Sequence, residues 1–195
     1  MNFYFEIIAV LTGIISVWFA KKENILLYPT GTVSVLIWIY LCWIGQIYSQ
    51  AVINLFFFIM NIFGWYNWSK KDINNKGQLT IRFNSILENL ISLLVSIFLT
   101  IIIYLFLINI NNSDNNWYFI LIESFITALN FIAMWLTAWK RVESWILWII
   151  GDIMCIPLFI YKEYYLSVAQ FSIFIIIAFM GYFEWKKKSL TIQKK

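Results

Sequence analysis

Histidine is absent from the 195 residues, charged residues make up only 12 %, and there are two prolines, seven glycines and two cysteines. Without histidine the chain lacks the commonest metal ligand and the side chain best suited to moving protons near neutral pH. Cys42 and Cys155 both fall in apolar segments, so they offer neither a disulfide framework nor a metal set and read as small buried residues. Charge this sparse cannot cover the surface of a water-soluble domain. No basic block interleaved with polar sequence is present, which removes nucleic acid as a partner. No cofactor is implied.

What the chain has in quantity is apolar surface: 62 % of residues are hydrophobic and the mean hydropathy is +0.78. Runs long enough to cross a bilayer lie at about 3–20, 25–44, 47–68, 85–108, 118–138, 143–161 and 164–185. They carry no period-2 alternation, and backbone groups in lipid need internal partners, so each run is predicted to be a helix. The first run has no basic segment before it and no small-residue cleavage site, which marks it as a retained span rather than a signal peptide. The expected fold is an all-α integral membrane protein of seven transmembrane helices, a single domain over 1–195.

Seven crossings put the two termini on opposite sides. One side then receives Lys21, Lys22, Lys70, Lys71, Lys76, Arg82, Lys140, Arg141, Lys186, Lys187, Lys188, Lys194 and Lys195, and the other receives Lys162 alone. The excess of positive charge on cytoplasmic loops places the C-terminus in the cytoplasm and the N-terminus outside.

The two ends of the chain overlay without a gap at an offset of 117 residues. Glu6 falls on Glu123, Trp18 on Trp135, Tyr48 on Tyr165, Gly64 on Gly181 and Trp68 on Trp185, with Lys70–Lys71 on Lys187–Lys188. The units are a first three-helix repeat over 3–71, a linker helix over 83–110 and a second repeat over 118–188. An odd number of helices per repeat would invert the second copy, and the linker helix restores its orientation. The result is a 3+1+3 parallel repeat, the SWEET-like architecture of transporters that bind solutes at mid-membrane between repeats. Duplication kept for packing alone is the plainer alternative.

Polar residues mark several of the spans. In the third, which closes with "FFFIMNIFGWYNWSKK", Asn54, Phe58, Asn61, Trp65 and Trp68 follow i, i+4, i+7, i+11, i+14, one face of a helix. Amides are costly toward lipid, so this face turns inward. Trp68, beside Ser69–Lys70, reads as an anchor at the bilayer interface, and Trp65 as either anchor or pocket. Gly64 and Gly181 let helices approach closely. In "ESWILWIIGDIMCIPLFIYK", Trp145, Trp148 and Asp152 share a face, with Asp152 at mid-span. A carboxylate there costs about 2.5–3.5 kcal/mol on insertion scales, so it needs a partner or water. Pro157, one turn later, frees a backbone carbonyl. An acid behind aromatic rings suits a flat cationic heterocycle. Gln170 in span seven and Asn130 in span five each serve either the site or helix–helix contact. The substrate-binding set is therefore Asn54, Asn61, Trp65, Asn130, Trp148, Asp152 and Gln170, around a wettable cleft between the two triplets.

The "GWYNW" run closing the third span and the "ESWILW" run opening the sixth, with the 3+1+3 order along nearly the whole chain, resemble the nicotinamide riboside transporter family, the PnuC-like vitamin transporters. The resemblance implies uptake of a vitamin nucleoside across the bacterial inner membrane by facilitated diffusion. It implies that a cytoplasmic kinase traps the cargo without binding the transporter stably, and that members assemble as trimers. It also implies a site of aromatic residues and amides from both repeats, which points to Asn54, Trp148, Asp152 and Gln170, and after them to Trp65 and Asn61. Asparagine is expected in the family at position 152, and the acid here strengthens binding of any cation, nicotinamide riboside and thiamine alike. Neutral riboflavin gains less, and a SWEET-type sugar would not need the acid. Histidine, paired carboxylates at helical spacing and a metal-ligand cluster are all missing, which argues against an intramembrane enzyme. A purely structural subunit is the third class, separable by the lack of any ligand-induced thermal stabilisation.

Overall fold

Apolar runs in lipid satisfy their own backbone as helices, and the computed structural model places one on each predicted span. It describes residues 3–70, 79–110, 117–161 and 163–193; of the basic residues counted above, Lys71, Lys76, Lys162, Lys194 and Lys195 lie outside them. The helices are α1 (Phe3–Lys21), α2 (Leu27–Ile44), α3 (Tyr48–Ser69), α4 (Ile86–Ile110), α5 (Trp117–Ala138), α6 (Glu143–Tyr161) and α7 (Tyr165–Gln193). All seven are long and apolar enough to cross a membrane. Among the described residues there is no sheet, only a bridge between Arg82 and Arg141. The protein is an all-α bundle of seven membrane-spanning helices.

Most boundaries fall within a residue or two of the sequence expectation, but α7 runs on to Gln193. Its extension holds good helix formers such as Lys187, Lys188 and Leu190. It is also held from the side, because Lys188 Nζ meets Glu23 Oε2 at 3.1 Å and Ser189 is buried. Hydropathy alone cannot see a helix that continues past its apolar run.

Four turns share one construction. Each ends its helix on a residue in the left-handed region: Glu23 (φ 58°), Gln46 (φ 57°), Lys140 (φ 53°) and Glu163 (φ 60°). In the first, Glu23 N donates to Ala20 O and Asn24 N to Phe19 O, both at 2.9 Å; Lys140–Thr137 and Arg141–Leu136 repeat the pattern at 3.0 and 2.9 Å. Gln46–Trp43 with Ile47–Cys42, and Glu163–Ile160 with Tyr164–Phe159, repeat it again. This is the paired 5→2 and 6→1 closure that glycine usually caps. A side chain there carries a conformational cost of about 1–2 kcal/mol, accepted at all four turns. Glu23 and Lys140 are 117 residues apart in the chain, as are Gln46 and Glu163.

Packing runs α1 on α2 on α3 and α5 on α6 on α7, with α1 against α7, α3 against α5, and α4 lying on α5. Two contacts have the same form. The Tyr28 ring covers Gly64 and meets Trp68 edge-on (5.3 Å, 88°); the Trp145 indole covers Gly181 and meets Trp185 edge-on (5.4 Å, 90°). The glycines admit close approach, as the sequence anticipates. Tyr28, Trp145 and Trp185 are buried in the main core cluster.

α4 is pinned at its start. The Glu88 carboxylate accepts from Arg82 at 2.6 and 2.8 Å, from Arg141 at 3.0 Å and from Ser85 N at 2.7 Å, while Glu143 accepts from Asn84 N at 3.0 Å. Arg82 N donates to Lys140 O and Val142 N to Arg82 O, so the segment before α4 is stitched to the α5–α6 turn.

Candidate functional site

A polar side chain inside a membrane bundle needs space beside it, and small residues supply that space. Gly13 and Ser16 on α1, and Gly31 and Ser34 on α2, repeat a G-x-x-S spacing that keeps each pair on one helix face. A Cβ built on Gly31 would lie 2.8 Å from Ser16 Oγ and 3.2 Å from Asn61 Oδ1; one on Gly13 would lie 3.1 Å from both Gln170 Nε2 and Ser34 Oγ. On α6, a Cβ at Gly151 would lie 2.5 Å from Asn130 Oδ1 of α5. Glycines on α1, α2 and α6 thus receive amides from α7, α3 and α5. Ser34 Oγ donates to Ala9 O and Ser16 Oγ to Leu27 O, both at 2.7 Å, which locks α1 to α2 beside these amides.

The seven predicted residues divide as follows. Asn54, Asn61, Asp152 and Gln170 are buried. Asn54 Nδ2 donates to Gln50 O at 2.9 Å, one turn back on its own helix. Asn130 is partly buried, and its Oδ1 is enclosed without a hydrogen-bond donor. The Trp148 indole N–H donates to Thr137 Oγ1 at 3.1 Å, and Thr137 Oγ1 donates to Ala133 O at 2.8 Å. Asp152 stands midway along α6, 3 % exposed, and among the described residues no donor or cation engages its carboxylate.

Trp65 is not gathered with the amides: it is 44 % exposed, beside exposed Ile62 and Tyr66. Helical geometry gives the reason. Measured from Asn54, Asn61 and Trp68 lie about 20° and 40° to one side, and Trp65 about 20° to the other. The buried residues of this half of α3, Met60, Asn61, Gly64 and Asn67, centre on the Trp68 side, so Trp65 falls at the edge of the face. Trp68, expected as an interface anchor, instead packs inside the bundle on Tyr28 and lies 6.1 Å from Trp185, with the Lys140 ammonium 4.6 Å from its ring.

Asp152 is buried at 3 % exposure, and the two best-formed cavities lie elsewhere. One cavity, of about 220 Å³, lies between α4, α5 and α6 and is lined by Ser92, Ser96, Leu129, Ile132 and Glu143 among others. A second, of about 650 Å³, lies at the end of the bundle that carries the α1–α2 and α5–α6 turns, lined by Lys22, Glu23, Asn24, Trp68, Thr80 and Lys140 among others. Neither is lined by any of the seven candidates. The glycine positions let the helices close directly on the amides Asn61, Asn130 and Gln170. Sequence reasoning missed Ser16, Ser34 and Thr137, although the repeated G-x-x-S spacing is visible in "GIIS" and "GTVS".

Seven membrane spans that keep amides and one acid buried between helices have the build of a membrane carrier for a small polar solute. The comparisons with known proteins agree with that class. The family described as "Nicotinamide mononucleotide transporter" matches residues 3–187, and the chain belongs to this family of transporters. It is 25 % identical over 207 residues to the nicotinamide riboside transporter PnuC of Escherichia coli (strain K12), covering 93 % of this chain and 84 % of the relative. The Shigella flexneri protein of the same name gives the same figures. Its fold is similar to the crystal structure of the vitamin B3 transporter PnuC, with a TM-score of 0.78 at 18 % identity, covering 97 % of this chain and 83 % of that one.

Proposed function

We propose that the chain carries nicotinamide riboside across the bacterial inner membrane by facilitated diffusion, with a cytoplasmic kinase trapping the cargo by phosphorylation. The observation that carries this reading is Asp152, a mid-helix acid with no partner among the described residues. The riboside brings a pyridinium cation that the acid would neutralise. The family description speaks of the mononucleotide, but a phosphate needs cationic partners. None of the seven candidates is a lysine or an arginine. Thiamine, also a cation, is the second reading that the same acid favours.

The cargo sits, on this reading, between two parallel repeats, 3–71 and 118–188, joined by the linker helix 83–110. Support comes from coincidences at the offset of 117: the left-handed pairs Glu23/Lys140 and Gln46/Glu163, and the matching contacts of Tyr28, Gly64 and Trp68 with Trp145, Gly181 and Trp185. The binding set is Asn54, Asn61, Asn130, Trp148, Asp152 and Gln170, with Trp65 an outer contact. Because Asp152 is buried at mid-span, cargo reaches it when the repeats rock apart, first to one side and then to the other. The charge count supports an outer N-terminus and a cytoplasmic C-terminus. The assembly is taken as a trimer with one path per protomer.

Radiolabelled nicotinamide riboside in proteoliposomes tests the reading. Uptake is expected to saturate and to stop at equal concentrations inside and out, without response to a pH gradient of either sign. No uptake of nicotinamide riboside, thiamine or riboflavin would defeat it. Thr137 gives a finer check, since it orients the Trp148 indole. Thr137→Val should raise the KM several-fold, about the 1 kcal/mol of one hydrogen bond, with the maximal rate little changed. Thr137→Ser should restore it. An unaltered KM in the valine variant would remove Trp148 from the site.

A further inference from the structure

The two triplets are tied together at one end. Among the described residues, ion pairs and side-chain hydrogen bonds that connect α1–α3 and their turns with α5–α7 and their turns gather where the α1–α2 and α5–α6 turns lie. They are Lys140 Nζ to Glu23 Oε1 at 2.7 Å, Lys188 Nζ to Glu23 Oε2 at 3.1 Å, Lys21 Nζ to Glu184 Oε1 at 3.2 Å, and Trp185 Nε1 to Ala20 O at 3.2 Å. Glu23 and Lys140 hold left-handed backbones at equivalent turn positions, so the ion pair links each turn to its counterpart. Lys140 is buried and Glu23 partly so, a setting in which a charge pair is screened less than on an open surface.

Beside this pair lies a cluster of rings, with the Lys140 ammonium 4.6 Å from Trp68. Tyr28, Trp68, Trp185 and Trp145 form a chain of contacts at 5.3, 6.1 and 5.4 Å, two rings from each triplet. Ile81, from the segment before α4, is 2 % exposed in the same cluster. Tyr28 OH and the indole nitrogens of Trp68 and Trp145 are enclosed with no hydrogen-bond partner. A cluster that leaves three polar ring atoms unpaired forgoes hydrogen bonds that water would supply on opening.

We propose that Glu23 and Lys140, outside the binding set, form the gate pair of the transport cycle: their ion pair, seconded by Lys188, holds the aromatic cluster shut, and its release opens the path at that end. The gate rests on the transport reading above, and the charge orientation makes this the cytoplasmic mouth. Glu23 is the shared partner of both lysines, so its loss removes both links, whereas loss of Lys140 leaves one.

The test begins from protein in which Cys42 and Cys155 are alanine and Glu23→Cys and Lys140→Cys are introduced. Bridging the two thiols with a short bis-methanethiosulfonate, which forms a reducible disulfide with each thiol and releases methanesulfinate, should cut nicotinamide riboside uptake about tenfold or more, since a locked gate stops the cycle. Reduction should restore uptake, and binding of the riboside to purified protein should survive the bridge. Equal uptake with and without the bridge overturns the gate. A second measurement needs no cargo. With Ala20→Cys as reporter beside Trp185, a membrane-impermeant maleimide applied from the gate side should react faster when Glu23→Gln is added. Glu23→Lys and Lys140→Glu should each do the same singly, and their combination should return labelling toward the parent rate. Labelling indifferent to all of these also overturns the gate. Failure of riboside uptake in the parent protein, whose Glu23 and Lys140 are intact, with labelling that responds, would instead count against the cargo assignment alone.

Discussion

Replacing Asp152 by asparagine is expected to weaken transport of a cationic cargo by about tenfold to a hundredfold, the scale of one lost charge-assisted contact. The substitution keeps the shape of the side chain and removes only its charge. Within the enclosed bundle, where Asp152 is 3 % exposed, a cation's attraction to the acid is far less screened than in water. Neutral cargo such as riboflavin should be carried at an unchanged rate. The protein itself should unfold at no lower temperature, because an acid with no partner among the described residues contributes desolvation cost and no compensating contact to the empty state. Activity that falls while stability holds is the signature of a binding group. A variant that loses both would point to a packing role, and one that loses neither would remove Asp152 from the cargo's path.

The second large effect is expected at Gly181. A Cβ there would stand 2.6 Å from Cζ2 of Trp145, a ring that is 2 % exposed and backed edge-on by Trp185. The indole has nowhere to retreat, so Gly181→Ala should cost about 1–3 kcal/mol by overpacking, read as an earlier thermal unfolding in detergent. Gly13→Ala makes the informative contrast. Its nearest atoms, Gln170 Nε2 and Ser34 Oγ, stand at 3.1 Å rather than 2.6 Å, and the longer Gln170 side chain can give by a few tenths of an ångström, so its cost should be smaller. Adding Trp145→Leu to Gly181→Ala should recover part of the loss by making room. If Gly181→Ala unfolds at the parent temperature, the close approach of α6 and α7 is not as the structure has it.

The spans were legible because lipid leaves the backbone one solution, and the apolar runs of α1 to α6 begin and end at charges, amides or turns. The end of α7 was not, since Lys188 and Ser189 continue the helix by docking on the α1–α2 turn rather than by hydropathy. On α3, period alone grouped five residues on one face; the interior kept Asn54, Asn61 and Trp68 and left Trp65 outside, a distinction of some tens of degrees that only packing decides. Asp152 announced itself by being an acid in an apolar run. Thr137 did not, because a hydroxyl that bonds its own helix turn looks like any other threonine until the Trp148 indole is seen to reach it. Lys140 entered the sequence reading only as a loop charge and Glu23 not at all, although their separation is the same 117 residues that separates Trp18 from Trp135 and Trp68 from Trp185. Nothing in the one-dimensional pattern says that the α1–α2 and α5–α6 turns meet.

The most direct measurement is an experimental structure of the protein with nicotinamide riboside bound in a lipid environment. The expected result is the pyridinium ring between the two triplets, within contact distance of the Asp152 carboxylate and the Trp148 indole. Riboside seated instead in the cavity between α4, α5 and α6, with Asp152 still enclosed and untouched, would contradict it.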